Sequence, residues 1–319
     1  MKRQRGVALI TVLLVVALVT VVCAGLLLRQ QLAIRSTGNQ LLVRQAQYYA
    51  EGGEQLAKAI LRRDRQASDL QVDHLGEPWA SPRLSFPLDE GGELRLRIDD
   101  LAGRFNLNSL AAAGESGEVA LLRLRRLLQL LQINPAYAER LQDWLDSDQD
   151  PAGSNGAEDD QYLLLKPAYR TGPGRVAEVS ELRLLLGMSE ADYRRLLPFV
   201  CALPLAVELN VNTASAQVLA SLGENIPEAT LQALIAGRGR SGYRDISSFS
   251  QSLTEFAVNP LGLTVSSQYF QATTEVHLGE RRQVLVSYLQ RGNDGRVRVL
   301  AHDLGQDGLL PSPVEESKE

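Results

Sequence analysis

The segment between Arg140 and Lys166 is the part of the sequence best equipped for chemistry. It contains no lysine or arginine, and it holds seven carboxylates: Asp143, Asp146, Asp148, Asp150, Glu158, Asp159 and Asp160. Pro151, Gly153 and Gly156 predict a loop in its middle. Like charges this close repel one another unless a cation lies among them, so the composition points to a cation-binding loop.

The spacing within this segment favours calcium. In Asp146-Ser147-Asp148-Gln149-Asp150 every second side chain can point inward, as in loops that wrap Ca²⁺. The segment is not an EF-hand, because Pro151 replaces the sharp-turn glycine and Ala157 occupies the twelfth position, one residue before Glu158. Spacing alone leaves two interpretations open, a calcium-binding loop and a solvated acidic loop without an ion.

No catalytic arrangement is recognisable elsewhere. His74, His277 and His302 lack the Cys or Ser arrangement that a nucleophile needs, and no phosphate-binding or dinucleotide fingerprint occurs. Cys23 and Cys201 are too scattered for a zinc cluster or an expected disulfide. We therefore expect no enzyme activity, the alternative being a membrane-anchored hydrolase whose carboxylates face each other across a cleft.

Residues 209–244 resemble the helix-hairpin-helix modules of DNA-uptake proteins, in which a Gly-x-Gly hairpin offers N–H groups to a phosphate. Here the second glycine is missing, Pro227 has no N–H, and Glu224 and Glu228 repel phosphate. The net charge of −5 also disfavours nucleic acid. We expect a helical pair used for packing, with a membrane-anchored extracytoplasmic DNA-binding protein as the alternative function.

The N-terminus predicts how the chain is held. Lys2, Arg3 and Arg5 precede an uncharged apolar run at residues 7–28, which is about 33 Å long as a helix and can cross a bilayer. The basic residues predict a cytoplasmic N-terminus and an exported remainder. Three interpretations compete: a signal peptide cut near Val22-Cys23-Ala24, a lipoprotein signal using Cys23, and a prepilin leader cut after Gly6.

The pattern beyond the apolar run favours the prepilin leader. Apolar or small residues recur at steps of three and four, and no proline occurs before Pro78, so one helix continues past the membrane through Leu42, Ala46, Tyr49, Gly53, Leu56 and Ile60. A cleavable signal rarely merges into such a helix.

The remaining patterns predict an α+β protein. Residues 83–88 and 93–98 alternate apolar and polar side chains around Asp89-Glu90-Gly91-Gly92, which predicts a hairpin. Helical spacing follows at 120–133, 135–145, 178–186, 190–199, 213–222 and 227–236, and strand patterns return at 269–278, 281–290 and 296–303. We expect a small antiparallel sheet packed on the N-terminal helix and interrupted by a large α-helical insertion.

Several segments together resemble the type IV pilin and pseudopilin superfamily. Residues 5–11 and 48–54 are similar to its opening, a basic leader ending in glycine, then an apolar helix and an exported head. Most members carry Glu as the fifth residue after the cleavage point, where Thr11 stands here. The branch known for lacking that Glu is the K-type minor pseudopilin of the type II secretion system, whose markers residues 103–108 and 208–214 also resemble.

The resemblance implies a pilin-like fold, with a long N-terminal helix on a small antiparallel sheet and a large inserted α-helical domain. The expected parts are a prepilin leader (1–6), a transmembrane helix (7–28), the rest of the stalk and the first part of the core (29–102), the inserted domain (103–259), the C-terminal strands (260–304) and a flexible tail (305–319).

The resemblance also implies a function at the tip of the pseudopilus. The K-type subunit would start assembly with the I-type and J-type minor pseudopilins, for protein export across the outer membrane. A prepilin peptidase would cut between Gly6 and Val7, followed by methylation. The protein would cross the bacterial inner membrane once, in contact with its lipid, with its C-terminal domain in the periplasm, where the secreted substrate or the outer-membrane secretin is a possible contact; nucleic acid is not expected as a partner.

Finally, the resemblance implies structural calcium, one or more ions, in the inserted domain. The implied ligands are Asp146, Asp148, Asp150, Glu158 and Asp159, with Asp143 and Asp160 as further candidates. Calcium would close the loop and fix the helices on each side.

Overall fold

A computed structural model describes residues 7–67, 71–81, 84–89, 91–172, 174–256 and 258–304. The expected leader 1–6 with Gly6, Glu90 of the expected turn, and the tail 305–319 lie outside the described residues. The α+β architecture expected from the sequence is confirmed, with a long helix, one antiparallel sheet and a helical insertion.

The first element is a continuous helix, α1, which spans Val7–Ala67. Among the described residues it is the one helix long and apolar enough to cross a membrane. Side chains 8–44 are exposed, and the first buried one is Ala46. At 1.5 Å rise per residue the helix is about 90 Å long, so more than half of it projects from the folded part of the chain.

The strands form one main sheet and two short pairs. In chain order they are β1 (Leu84–Pro87), β2 (Gly92–Asp100), β3 (Phe105–Asn106), β4 (Val200–Cys201), β5 (Leu209–Asn210), β6 (Leu263–Thr264), β7 (Tyr269–Leu278), β8 (Arg281–Arg291) and β9 (Val297–Asp303). The main sheet is antiparallel, in the order β1-β2-β7-β8-β9, and β3–β4 and β5–β6 are parallel pairs. The chain therefore leaves the sheet after β2 and returns beside it at β7.

Most helices lie in the insertion between β2 and β7. They are α2 (Glu115–Leu130), α3 (Tyr137–Leu145), α4 (Asp159–Tyr162), α5 (Glu190–Leu196), α6 (Ala216–Ala220), α7 (Glu228–Gly237) and α8 (Ile246–Ser250). Short 3-10 helices occur at Pro78–Ala80, Leu107–Ala111, Val179–Leu184, Leu197–Phe199 and Gln251–Phe256.

Some expected boundaries moved for local reasons. The helix expected at 178–186 is a 3-10 segment, because Glu178 and Glu181 form a reciprocal capping box and Leu185 already has extended backbone. The helix expected at 213–222 shortens to α6, since the side chain of Ser215 caps it. The sheet resumes at Tyr269, as the strand pattern predicts, and β6, which lies between the expected boundary at residue 260 and Tyr269, pairs with β5 instead of joining the sheet.

The membrane-distal part of α1 packs on the sheet through small residues. Ala46, Ala50 and Ala57 are buried, with Leu61, against a core that includes Leu96, Ile98, Phe270, Val276, Leu285 and Leu289. Gly53 allows the closest approach, since a Cβ there would stand 2.3 Å from Cγ2 of Thr274. These small residues let the helix pack close to the sheet, and this packing fixes the direction of the helix.

A buried polar network joins the sheet to the insertion. Oδ2 of Asp100, at the end of β2, accepts hydrogen bonds from Oγ of Ser267 at 2.5 Å and Oγ1 of Thr213 at 2.6 Å. The amide nitrogen of Asn210 donates to Ser267 at 2.8 Å and to the carbonyl of Asp73 at 3.1 Å. Asp100 and Ser267 lie at the two ends of the insertion, and Asn210 and Thr213 lie near its middle, so the network sets how the inserted domain stands on the sheet.

The insertion is built from two similar halves. The first half runs from β3 to β4 and the second from β5 to β6. Each half contains an Asn-x-Asn segment. The side-chain amide of its second asparagine forms hydrogen bonds with both the backbone N–H and the backbone carbonyl of one residue far along the chain. Asn108 accepts from N of Val176 at 2.8 Å and donates to its O at 2.9 Å. Asn212 does the same with Tyr243, at 2.7 and 3.0 Å.

The likeness extends to the helix turns. Gln132 and Asn225 are the two described non-glycine residues with positive φ, at 56° and 49°, and each precedes a buried isoleucine and then α3 or α7. The halves differ in the connection after these helices. In the first half the connection from α3 to Val176 consists of residues 146–175. In the second half the equivalent connection from α7 to Tyr243 is much shorter and consists of residues 238–242. The acidic segment is thus a long loop at a place where the other half has a short turn.

Candidate metal centre

The acidic loop starts from the end of α3. That helix buries Tyr137, Ala138, Leu141, Trp144 and Leu145 in the core of the first half. Asp143 lies on its last turn and is also buried, at 1% exposure, so its carboxylate points toward the loop and away from water. Asp146 follows one helical turn later, as the C-cap residue.

Three carboxylates converge here. Oxygen atoms of Asp143, Asp146 and Glu158 all lie within 4.8 Å of one another, and Glu158 is 2% exposed. Asp143 also closes the loop by itself, because Oδ1 accepts from N of Ala152 at 2.9 Å and Oδ2 from N of Ala157 at 2.6 Å. Gly156 leaves room for it, since a Cβ there would stand 2.3 Å from Oδ2 of Asp143.

Half of this group lacks a hydrogen-bond donor. Oδ1 of Asp146 and both carboxylate oxygens of Glu158 are buried with no hydrogen-bond partner among the described residues. Burial, and then the neighbouring carboxylates, raise the pKa of Asp146 to about 6 and that of Glu158 to about 7. Burial also raises the pKa of Asp143. Negative charge gathered without donors is what a bound cation would neutralise.

The donor set suits a hard divalent cation. Carboxylate oxygens in a flexible loop are the ligands that Ca²⁺ prefers, and water and backbone oxygens commonly complete its coordination. No soft donor belongs to the group, which disfavours zinc or copper. The residues present therefore fit calcium.

The other predicted ligands are placed differently. Asp148 is exposed, but its charge adds to the raised pKa of Asp146 and Glu158, so it borders the group. Its Oδ1 accepts from N of Asp150 at 2.9 Å. Asp150 and Asp160 are exposed and outside the converging group.

Asp159 is engaged elsewhere. Its carboxylate accepts from N of Thr171 at 2.9 Å and from Arg170 at 2.6 Å. The hydrogen bond from the Thr171 backbone, followed by that from its hydroxyl and the Arg170 contacts, lowers the pKa of Asp159. Asp159 thus fastens the far end of the loop. Sequence reasoning ranked Asp143 below it, although the i, i+3 spacing of Asp143 and Asp146 on a helix was a usable signal.

A second acidic group consists of Asp64, Asp73 and Glu77. The sequence analysis missed it because the arginine that pairs with two of its members lies more than 200 residues further along the chain. Arg291, 2% exposed, donates to Asp73 and, at 2.8 Å, to Asp64. Glu77 accepts from the Trp79 indole at 2.6 Å, and burial raises its pKa to about 7. A buried guanidinium already occupies this group, so we interpret it as structural.

The helix-hairpin-helix-like segment is used for packing. Arg238 is buried, and its Nη2 donates to the carbonyl of Ala214 at 2.5 Å, so it does not face outward toward a phosphate. Pro227 is the N-cap of α7, where a phosphate-binding hairpin would offer N–H groups. Arg240 and Arg244 are exposed, without a described carboxylate or backbone cradle around them.

Family comparison agrees with this division of the chain. A family described as "Type II secretion system (T2SS), protein K" matches residues 103–205 through one of its domains and residues 209–268 through another. These two spans are the two halves of the insertion.

Two curated relatives and one solved structure are similar over most of the chain. Type II secretion system protein K of Pseudomonas aeruginosa is 55% identical, over 97% of this chain and 96% of the relative. The Klebsiella pneumoniae protein of the same name is 37% identical, over 91% and 93%. A chain in the crystal structure of the GspK-GspI-GspJ complex from the enterotoxigenic Escherichia coli type 2 secretion system superposes with a TM-score of 0.74 at 27% identity, covering 85% of this chain and 99% of that one.

Proposed function

Since the chain belongs to the type II secretion system protein K family and is a minor pseudopilin, we propose that it stands at the tip of the pseudopilus and starts its assembly. The observation that carries the proposal is the helical insertion between β2 and β7, on top of a stalk-and-sheet core. A subunit this wide does not repeat along a thin filament, and Thr11 cannot provide the carboxylate that would meet a further subunit's amine.

The proposed partners are two other minor pseudopilins, of the I and J types. The solved complex that this chain resembles contains such partners. The exposed part of α1 offers them apolar side chains, since Leu41, Leu42 and Val43 lie outside the apolar run and are exposed in this chain. The pairing is tested by co-purifying the three proteins from membranes. Changing Leu41, Leu42 and Val43 to Ser should abolish the co-purification. Retention of both partners by that variant would contradict it.

Maturation is proposed to follow the prepilin route, with cleavage after Gly6, N-methylation of Val7, and residence in the inner membrane with the head in the periplasm. We would express the full chain with and without a prepilin peptidase and determine its intact mass. A peptidase-dependent product beginning at Val7 with one methyl group supports the route. A product beginning near Gly25 without the peptidase overturns it, and the stalk with it.

We also propose that Asp143, Asp146 and Glu158, with Asp148 at their border, hold structural calcium. The support is their convergence and the donor-less oxygens of Asp146 and Glu158. Calorimetric titration of the full chain in detergent with Ca²⁺ tests it. Glu158→Gln should weaken binding by about tenfold or more, whereas Asp160→Asn, an exposed carboxylate of the same loop, should leave it within about twofold. Equal affinity of the two variants would contradict the site.

No enzyme activity is proposed. The protein acts as a structural component of the secretion machine, and the carboxylates with raised pKa have packing partners or form the proposed metal site. The hydrolase and DNA-receptor alternatives are not favoured by any arrangement of the described residues.

A further inference from the structure

A cavity of about 260 Å³ lies between the two halves of the insertion. Its walls come from the start of the first half, from the linker before β5, and from the turn before β6. The walls are mostly apolar, with contributions from Ala102, Phe105, Ala120, Leu203, Leu209 and Leu261. Cavities at the junction of two units are common places for small ligands.

A buried arginine lines this cavity. Arg123 of α2 is 7% exposed, and its Nη2 donates to the carbonyl of Asn259 at 2.6 Å. Its Nε is buried with no hydrogen-bond partner among the described residues. Its Nη1 lies beside Gly262, another residue of the cavity wall, 3.7 Å from where a Cβ would stand. The guanidinium is therefore held by one carbonyl, with donors to spare.

Arg123 has no counter-charge within the described part of the chain. It forms no ion pair there, in contrast to Arg125 and Arg126 of the same helix, which pair with Glu139 and Glu224 at 2.8 Å. Burial, and then Arg126, lower its pKa to about 10, so it stays charged at neutral pH. An unpaired buried charge is costly, and native structures rarely keep one without a use.

The mouth of the cavity adds to this cationic character. Arg104, half-buried, also lines it and forms no ion pair with a described residue. Glu208 stands at the rim but is exposed and pairs with neither arginine. The cavity thus combines apolar walls with the buried guanidinium of Arg123 and a second arginine, Arg104, among its lining residues, a pattern that complements an anion carried on an apolar body.

We propose that this cavity binds a carboxylate carried on a short apolar chain, with Arg123 as its anchor and Arg104 as a second contact. The inference goes beyond the secretion role, and it depends neither on calcium nor on the position at the tip. The same chemistry is offered by a small aliphatic acid and by the C-terminal carboxylate of a polypeptide with apolar last residues.

The test uses the full chain in detergent and matched pairs of probes. Hexanoate is compared with hexanamide, and N-acetyl-Leu-Leu with its C-terminal amide, by calorimetric titration. Both carboxylates should bind and both amides should bind at least about tenfold more weakly, because they lack the charge. Tighter binding of the peptide than of hexanoate would identify a polypeptide terminus as the source, and the reverse would identify a small acid.

Two variants locate the binding. Arg123→Gln should lose about tenfold or more in affinity for the carboxylates, whereas Arg126→Gln, on the same helix but outside the cavity, should stay within about twofold. If Arg123→Gln does not fold, Arg104→Gln should show a loss of at least about threefold. Equal binding of acids and amides, no binding up to about 10 mM, or equal affinity in the arginine variants and Arg126→Gln would overturn the proposal.

Discussion

At the scale of single residues, the carboxylates of the acidic loop differ in how well their oxygens are hydrogen-bonded. Asp143 accepts two backbone hydrogen bonds, whereas Glu158 has none, although both are buried. In the ion-free protein Glu158 is therefore easier to protonate than in the unfolded chain, where its pKa is near 4.3. Protons would compete with the proposed calcium ion for the same oxygens.

The first prediction concerns pH. Because the folded-state pKa values of Asp146 and Glu158 are raised to about 6 and about 7, the contribution of these two groups to the stability of the ion-free protein should be greatest below the unfolded values near 4 and should be lost as pH rises through the folded values. Calcium affinity should run the other way, rising by up to about a hundredfold per pH unit near pH 5, where both groups must lose a proton, and more slowly toward pH 7. Titrations at several pH values check this, and a pH-independent affinity would contradict it.

The second prediction concerns Asn210, which is fully buried and whose amide nitrogen has donor contacts to Asp73, Asp100 and Ser267. Asn210→Ala removes these three buried donor contacts and leaves a small cavity, so the free energy of unfolding should fall by about 2–4 kcal/mol. Asn293→Ala, at an exposed turn, should change it by less than about 0.5 kcal/mol. Denaturant unfolding in detergent measures both, and equal effects would show that the network does not stabilise the junction.

At the scale of elements, two adjacent glycines of α1 have different surroundings, and only one of them lies against the sheet. A Cβ added at Gly52 would have nothing within 4 Å, whereas one added at Gly53 would stand 2.3 Å from Thr274. Both glycines lie inside the helix, where glycine costs about 1 kcal/mol relative to alanine.

The third prediction rests on this contrast. Gly52→Ala should stabilise the protein by about 0.5–1 kcal/mol through helix propensity. Gly53→Ala should destabilise it by about 1–3 kcal/mol, because the new methyl group pushes the helix away from β7. Denaturant midpoints of the two variants provide the comparison. A stabilising Gly53→Ala would mean that the helix and sheet separate easily.

How far the elements can be predicted from the sequence depends on the range of the interactions involved. The alternation in β7 and β8 is local, so both strands were predicted to within one residue, whereas α1, whose helical pattern was followed as far as Ile60, ends at Ala67. The asparagine contacts of Asn108 and Asn212 have no local signature, since their partners lie far along the chain. The buried position of Asp143 depends on a loop that folds back, and Arg123 carried no sequence signal that it would lack a partner.

At the scale of the whole molecule, the sheet and the insertion have separate hydrophobic cores. Each contains one of the two tryptophans of the chain, Trp79 beside the sheet and Trp144 in the first half of the insertion. Trp144 lies on α3, next to Asp143, whereas Trp79 packs on Phe270 of β7. The two tryptophans can therefore report the two cores separately.

The fourth prediction uses these reporters. Removing calcium with a chelator should lower the unfolding midpoint seen by Trp144 in the Trp79→Phe variant by several degrees, because the proposed site closes the loop after α3. The midpoint seen by Trp79 in the Trp144→Phe variant should shift much less. Fluorescence-detected thermal unfolding measures both. Equal shifts would show that the two cores unfold as one unit, and no shift in either would remove calcium's structural role.

The bare stretch of α1 also determines a clearance. Between the apolar run and Asn39, where the turns of the sheet at Gly91 and Gly279 begin to flank the helix, residues 29–38 have exposed side chains and rise about 15 Å along the axis. With the apolar run in a bilayer, the underside of the head stands above the lipid by about this distance. A neighbour with a compact head can occupy that gap while its own helix runs alongside. The empty height beneath this head is therefore room for the next subunit, and shortening the stretch would close that room without touching a single contact inside the folded domain.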